Sequence, residues 1–466
     1  MSRRLLLINP AHMLDGRVQR GPAQFPIPPL NLGYVAALTP PSWEVRIIDE
    51  NLRLEEGLSW RPDLVGLTAL TPNAPRAYAL AQQYRAAGIP VVLGGIHASA
   101  LPEEAARYVD TVVVGEAEGA WPRLLADFEA GRLQARYDGG FDALESLVPP
   151  RRDLYPGGYF TEVAFTSKGC LGHCDFCSIW RFYAQCYRTR PVDDVVDELA
   201  TLPAHKMVFL ADDNLTLQPG RVIEICQQLV KRGLRRRLAI QGAITLADNE
   251  ELLTWLKRAG CVYVFVGLES LNGEALTQIG KPNLLGVNAE GYRRRLANLH
   301  RHGLGVYGSF IVGLDQDTPE TFAQLERFIL EAEIDCALIN ILAPLPGTVL
   351  WERLIAEGRL LLRHFPDDYA YCTQDRVYFQ PAHLTPQQLE KGARQLIVRL
   401  NRPGLLARRV WRTWQHTHSA LATLIALEWN RRSRVAVRRM SDGRGNVRPP
   451  MNADERRREK NVNREL

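Results

Sequence analysis

Short apolar runs alternate with longer stretches of helical periodicity through the first 140 residues. Leu5–Asn9, Glu44–Asp49, Leu64–Thr68, Val91–Gly94 and Thr111–Gly115 predict five buried strands. Leu30–Leu38, Ala74–Ala87, Glu103–Tyr108 and Trp121–Glu129 predict the helices between them. This alternation predicts an α/β unit built on a doubly wound parallel sheet. Ligands of such sheets sit beyond the carboxyl ends of the strands. Those ends read Asn9-Pro10, Thr68–Asn73, Gly94–His97 and Gly115–Glu118, rich in residues that make tight turns and let a ligand approach the backbone.

Periodicity fades over residues 141–161, the expected linker, and restarts at Glu162. Val163–Thr166, Met207–Leu210, Arg237–Gln241, Tyr263–Val266, Gly308–Val312 and Ala337–Leu342 predict six further strands. Helices fall between them, among them Asp193–Leu202, Pro219–Arg232, Asn249–Ala259 and Pro319–Glu333. Six β/α units over residues 162–357 predict a partial (β/α)6 barrel whose working edge is again the carboxyl end of its strands. Residues 358–430 predict a C-terminal helical region, and 431–466 a basic, disordered tail.

A length of 466 residues and 46% apolar content accommodate two or three globular domains. There is no uncharged apolar run of about 18 residues, so no membrane-spanning helix is expected. The Leu5–Ile8 run ends in Asn-Pro without a cleavage site, which predicts a strand rather than a signal peptide and a cytoplasmic protein. Net charge is +5, but residues 401–466 hold 16 Lys/Arg against 6 Asp/Glu, so the tail is basic and the body acidic. Eight cysteines stand at 170, 174, 177, 186, 226, 261, 336 and 372. Three of them crowd into eight residues, which is the pattern of a reduced metal site and not of a disulfide framework.

That crowded segment is Thr166-Ser-Lys-Gly-Cys170-Leu-Gly-His-Cys174-Asp-Phe-Cys177. Three thiolates from one loop can serve three irons of a cubane cluster and leave the fourth iron open to a chelating cosubstrate. A structural zinc site completed by His173 or Cys186 is the alternative, although zinc sites usually pair Cys-x2-Cys with a distant second pair.

The motif resembles that of the radical S-adenosylmethionine superfamily, whose hallmark is Cys-x3-Cys-x2-Cys with an aromatic before the last cysteine, here Phe176. The resemblance continues downstream. Phe209-Leu-Ala-Asp212-Asp213-Asn214 is similar to the second-strand motif that binds the methionine amino group. Val266-Gly-Leu-Glu269-Ser270 is similar to the fourth-strand motif near the ribose and carboxylate. The run Gly308–Gly313 is similar to the fifth-strand glycine motif beside adenine, and Leu342–Thr348 to the end of the sixth strand. The N-terminal region resembles the cobalamin-binding domain fused to such enzymes through Pro28–Tyr34, Ile48–Glu50, Gly94–Ala98 and Val114–Glu118, but lacks the Asp-x-His-x-x-Gly motif that ligates cobalt.

The resemblance implies a 4Fe–4S cluster on Cys170, Cys174 and Cys177, with S-adenosylmethionine on Phe176, Asp212, Asp213, Asn214, Glu269, Ser270, Gly308 and Gly313. It implies cobalamin on Thr68, Leu70, Gly94, Gly95, His97, Gly115 and Glu116, with Leu70 a neighbour of the lower cobalt face. His97 reads on its own residues as a loop hydrogen-bonder. The implied activity is methyl transfer to an unactivated carbon of a small-molecule or lipid-like biosynthetic intermediate, in the hopanoid methylase-like or bacteriochlorophyll-biosynthesis-like class. The alternatives are an oxidative cyclase or ring-rearranging enzyme with the same cofactors and, outside catalysis, a cobalamin carrier or sensor. A flavodoxin or ferredoxin would supply electrons; no nucleic acid is expected, and no general acid or base can be named. Leu405–Val437 sets Trp411, Trp414, Leu424 and Leu427 among arginines, which suits either a helix packed on the barrel or peripheral contact at the inner membrane face.

Overall fold

A computed structural model describes residues 2–19, 27–52, 60–142, 144–281 and 288–441. Among these residues two six-stranded parallel sheets form. The first comprises β1 (Arg4–Asn9), β2 (Glu44–Asp49), β3 (Leu64–Thr68), β4 (Val91–Gly94), β5 (Thr111–Val114) and β6 (Arg136–Asp138), in the order β2-β1-β3-β4-β5-β6. The order in which the strands are added reverses at β1, so the crevice between the carboxyl ends of β1 and β3 is the expected ligand site. Apolar side chains alternate to both faces. Leu5 and Leu7 join one core with Trp43 and Trp121, while Leu6 and Ile8 join another with Tyr78 and Leu93.

The second sheet comprises β7 (Thr161–Ala164), β8 (Met207–Leu210), β9 (Arg237–Gly242), β10 (Cys261–Glu269), β11 (Gly305–Val312) and β12 (Cys336–Ile341), paired strictly in sequence. Each is followed by a crossover with its apolar stripe on the sheet, which makes the open barrel that the alternation predicts. One helix-end rule is visible at Glu250–Ala259. Asn249 accepts from Leu252 N at the start, acidic residues fill the first turn, and Gly260 ends it at φ 98°. Gly260 cannot be replaced there, because a Cβ would overlap the Arg236 carbonyl oxygen.

One expectation is refined and one is corrected. The expected C-terminal helical region forms from Pro386, after an irregular stretch that begins at residue 358. Leu360, Leu362, Tyr369–Cys372 and Tyr378 fold back onto the N-terminal unit and share a core with Leu6, Val65 and Tyr78. Its apolar residues are too irregularly spaced to announce a partner that lies some 300 positions away in sequence. The tail is not disordered from Arg431: three helices, Pro386–Leu400, Pro403–Thr417 and Ala420–Ser441, close the C-terminal part. Ala422, Ala426 and Asn430 are buried at four-residue spacing, so packing against the barrel carries the last helix through its arginine-rich stretch. The rest of the expected tail lies outside the described residues.

Candidate functional site

The loop after β7 carries Cys170, Cys174 and Cys177, all half-buried and without disulfides. Its start is held by the end of β8. Asp212 is buried and accepts from Thr166 N (3.1 Å), Thr166 Oγ1 (2.8 Å) and Ser167 Oγ (2.5 Å). Burial raises the Asp212 carboxyl despite these donors. Asp213 accepts from Gly169 N at 2.8 Å, and burial lifts its carboxyl to about 6 against that bond. Gly169 sits at φ 91°, where a Cβ would overlap the Cys186 carbonyl. Further along, Asp175 N donates to Ile279 O (2.9 Å), Leu350 N to Asp175 O (2.9 Å) and Trp180 Nε1 to Cys174 O (2.9 Å). The segments that follow β8, β10 and β12 thus hold one loop from several sides.

Burial pushes the Cys174 thiol up to about 12, opposed by the Lys281 ammonium and reinforced by Cys177, Glu269 and Cys170. Burial also raises the Cys177 thiol. Among the described residues no three His, Cys, Asp or Glu side chains converge closely enough for a single metal ion. Three half-buried thiols on one loop fit a polynuclear cluster, one thiolate per iron, better than tetrahedral zinc, which takes four protein ligands.

Glu269 stands at the end of β10 with φ 63°, beside an irregularity in the β10–β11 pairing. A non-glycine residue in the left-handed region costs on the order of 1–3 kcal/mol. Lys281 holds it there, with Nζ 2.7 Å from Glu269 Oε1 and 2.6 Å from Gly267 O. Ser270 is buried beside it, and its hydroxyl accepts from Asn272 N. These two residues and the cysteine loop share one end of the barrel. Asn214 instead uses its side chain to cap Leu215–Leu217 through Thr216 N. Phe176 packs against the barrel core. Gly308 lies within β11 against Ile334 and Leu268, and Gly313, at φ 102°, makes room for Leu389 and Phe379.

The two sheets turn their carboxyl ends toward each other across a cavity of about 280 Å³. The N-terminal unit lines it with Thr68, Gly94, Gly95, Gly115 and Glu116, the cysteine loop with Ser167, Lys168, Phe182 and Tyr183. Gly95 has φ 96°, and a Cβ would lie 2.9 Å from Thr68 Oγ1, so the backbone itself forms that wall. Below the mouth a slot runs between the sheet and the helices Leu30–Ala37 and Ala117–Glu129, lined by Leu7, Leu32, Val92, Val113 and Trp121. Tyr34, whose hydroxyl is buried without a hydrogen-bond partner among the described residues, is one of the lining residues. A glycine-walled mouth, an apolar slot and an unsatisfied hydroxyl fit a large cofactor with polar appendages.

Ion pairs across the cavity clamp the units together. Lys168 Nζ lies 3.0 Å from Glu116 Oε1 and 2.5 Å from Glu118 Oε1, and Arg188 Nη2 lies 2.9 Å from Glu116 Oε2. Lys168 and Arg188 pair as neighbours in a two-stranded ladder, Ser167–Lys168 with Arg188–Thr189, that frames the cysteine loop. Sequence reasoning missed Lys168, Arg188 and Lys281. The only signal for Lys168 was its place two residues before Cys170.

The expectation for His97 is corrected. It is fully buried, 2.9 Å from the Tyr78 hydroxyl and edge-on to Tyr369. Glu104 accepts from both of those tyrosines, at 3.0 and 2.6 Å, so His97 belongs to a closed polar core that the returning C-terminal segment completes. Leu70 stands exposed just past β3, outside the residues lining the cavity.

The B12 binding domain family matches residues 16–125 and the Radical SAM superfamily residues 165–329. Bacteriochlorophyllide d C-12(1)-methyltransferase of Chlorobaculum tepidum is 29% identical over 402 residues, 83% of this chain and 85% of that protein. Hopanoid C-2 methylase of Rhodopseudomonas palustris is 28% identical over 351 residues, 72% of this chain and 66% of that protein. The fold is shared with the radical S-adenosylmethionine methyltransferase TsrM of Kitasatospora setae, solved with cobalamin and a 4Fe–4S cluster: TM-score 0.68, 18% identity, covering 94% of this chain and 100% of that one. With both domains matched in this order, and the barrel and cavity joined as described, the chain belongs to the radical S-adenosylmethionine enzymes that carry a B12-binding domain.

Proposed function

We propose that this chain is a cobalamin-dependent radical S-adenosylmethionine C-methyltransferase, acting on an unactivated carbon of a small-molecule or lipid-like biosynthetic intermediate. The observation that carries the reading is the shared cavity, where Lys168 and Arg188 fasten the cysteine loop to Glu116 of the B12-binding unit. In this reading Cys170, Cys174 and Cys177 hold the 4Fe–4S cluster. Glu269 and Ser270 line the S-adenosylmethionine site beside them, and Asp213 borders both that site and the cavity. Thr68, Gly94, Gly95, Gly115 and Glu116 form the cobalamin mouth. When bound, these cofactors supply one-electron reduction, a hydrogen-abstracting radical and a transferable methyl group.

The protein's own residues position and exclude. Asp212 fixes the loop's first turn through Thr166 and Ser167, so the cysteines start from a rigid edge. Asp213 fixes Gly169, the residue before the first ligand. Lys281 holds Glu269 in its left-handed conformation. Phe182 and Tyr183, with rings 4.9 Å apart, present an apolar wall where water would quench radical chemistry. Hydrogen abstraction needs no general base, and none is assigned. A flavodoxin- or ferredoxin-type protein is the electron source in this reading.

The test is anaerobic turnover of reconstituted, cobalamin-loaded protein with methyl-deuterated S-adenosylmethionine, offered a hopanoid or a bacteriochlorophyllide. The expected product carries one deuterated methyl group. Loss of hydrogen with ring closure and no added methyl replaces this reading with oxidative cyclisation. That second reading has support in the anaerobic magnesium-protoporphyrin IX monomethyl ester cyclase of Rubrivivax gelatinosus, 28% identical. That match spans 66% of this chain and 61% of the cyclase, against 83% and 85% for the C-12(1)-methyltransferase, which favours methylation.

A further inference from the structure

The helices Pro403–Thr417 and Ala420–Ser441 pack against each other and against the amino ends of the barrel strands. The first inserts Arg409, which donates to Ile334 O and Asp335 O, with Thr413 and Thr417 buried along the same stripe. The second buries Ala422, Ala426 and Asn430 against Tyr263 and Cys336. Tyr263 donates to Ala422 O at 2.9 Å and Asn430 to Asp335 O at 2.8 Å.

At 100° per residue, Trp411 on one helix and Leu424 and Val435 on the other lie opposite the buried positions, and Trp414 and Leu427 lie on the flanks, about 100° from the centre of each buried row, to complete two outward stripes. All five are exposed, Trp411 and Leu424 each at 58%. Both stripes therefore turn away from the barrel, side by side on one hairpin. Exposed Arg402 and Arg408 edge the first stripe and exposed Arg431 the second. The basic groove at the amino ends of the strands opens beside the turn of the hairpin, where Gln415, His418 and Leu421 join Arg235, Arg237 and Arg301 in its walls.

We infer that this hairpin docks on an anionic phospholipid surface. Residues 401–441 hold nine arginines and one glutamate, so the segment carries a charge of +8. A second copy laid on the same face would bring +8 against +8, whereas anionic headgroups are complementary. Tryptophans and leucines in one outward plane, rimmed by arginine, match the interface between headgroups and acyl chains. Nucleic acid would satisfy the charge but would leave Leu424, Leu427 and Val435 without an apolar phase to cover them.

The placement has a consequence for substrate access. The face lies at the amino ends of the strands, and the cysteine loop follows the carboxyl end of β7. The nine residues of β10 separate the two ends by roughly 30 Å at about 3.3 Å per residue. Docking therefore tethers the enzyme without opening the cofactor cavity onto the same bilayer contact. This inference is independent of the reaction type.

The test is flotation of full-length, cofactor-loaded protein with vesicles of phosphatidylglycerol and phosphatidylcholine, and of phosphatidylcholine alone. The protein is expected to float with the anionic vesicles. The triple variant Trp411→Ser/Trp414→Ser/Leu424→Ser is expected to lower partitioning at least about tenfold while keeping its iron and cobalamin content. Arg408→Glu/Arg431→Glu should lower it comparably, and Ile355→Ser, an exposed apolar residue elsewhere, should not. The inference is overturned if wild type does not float, or if wild type and the triple variant float equally. It is also overturned if sedimentation shows a wild-type dimer that the triple variant dissolves, or if RNA binds this face with the Trp and Leu substitutions in place.

Discussion

The two ends of the barrel hold very different cavities. At the amino ends of the strands a groove of about 1340 Å³ opens to solvent, while the cavity at the carboxyl ends is about 280 Å³. Burial acts in the larger space too, lowering the pKa of Lys257 and His416 and raising the Cys261 thiol, but several of its basic groups are paired: Lys257 bonds Gly303 O, His300 faces Asp335, His416 faces Glu333 and Arg293 faces Glu331. Beside the smaller space such burial-shifted groups gather on one loop and the strand ends next to it. Burial raises the Cys174 and Cys177 thiols and the Asp212 and Asp213 carboxyls, and Glu269 is kept in a left-handed conformation. Size therefore does not select the site here. Three thiols on one loop beside perturbed carboxylates do.

The sharpest way to break this comparison is to remove the thiols. Cys170→Ala/Cys174→Ala/Cys177→Ala should abolish iron binding on anaerobic reconstitution while leaving a folded protein, read by iron analysis and circular dichroism. About four irons per chain still bound would show that the cluster sits elsewhere.

The next effect concerns the clamp. Glu116 is nearly inaccessible and pairs with both Lys168 and Arg188. Glu116→Gln takes the carboxylate from Arg188 and leaves Lys168 with Glu118 alone, and breaking such a buried pair costs about 3 kcal/mol. A lower denaturation midpoint and faster cobalamin loss on gel filtration are expected. Adding Lys168→Met should cost less than the sum of the two single changes, because the residues share one interaction.

A smaller, pH-dependent effect is expected at Asp317, in the turn after β11. It accepts from Gly313 N (2.7 Å) and Leu314 N (3.0 Å), yet burial lifts its carboxyl to about 6. The folded state therefore holds this proton more tightly than the unfolded state. The stabilisation is full below about pH 4 and is lost as pH rises through about 6. Asp317→Asn should remove that dependence and raise stability at pH 7 relative to wild type by at most about 3 kcal/mol, with no such gain at pH 4. Thermal unfolding at the two pH values reads the difference; an equal shift at both would place the cause in packing.

The smallest effect belongs to the groove. Arg235 and Arg301 are exposed, and Arg235→Ala/Arg301→Ala should change stability by no more than about 0.5 kcal/mol and leave iron and cobalamin content intact. A loss of either cofactor would make the groove part of the catalytic apparatus and undo the contrast between the ends.

Much of the fold was legible because a buried parallel strand carries a short apolar core, bounded by polar or turn residues. Glu44–Asp49, Leu64–Thr68, Val91–Gly94 and Met207–Leu210 appear with the bounds their patterns predict. Arg136–Asp138 was not legible, since three residues with only Tyr137 buried carry no pattern. The last helix was misread over Arg431–Ser441 because composition does not report what a helix packs against.

The cysteine spacing and the order of the strand-end motifs are local features, and by themselves they determined the cofactor class and the end of the barrel where it works. Tertiary structure decided how those motifs are used. It turned His97 into a core residue, committed Asp212 and Asn214 to holding backbone, and set Lys168 against Glu116 from 52 positions away. It also brought the stretch after residue 357 back onto the first sheet and placed the arginine-rich hairpin at the barrel's far end. The physical reason is that spacing along a strand or loop fixes which side chains share a turn or a face. Whether a polar group meets solvent, a cofactor or another buried group depends on contacts between segments far apart in the chain, and no local pattern encodes them.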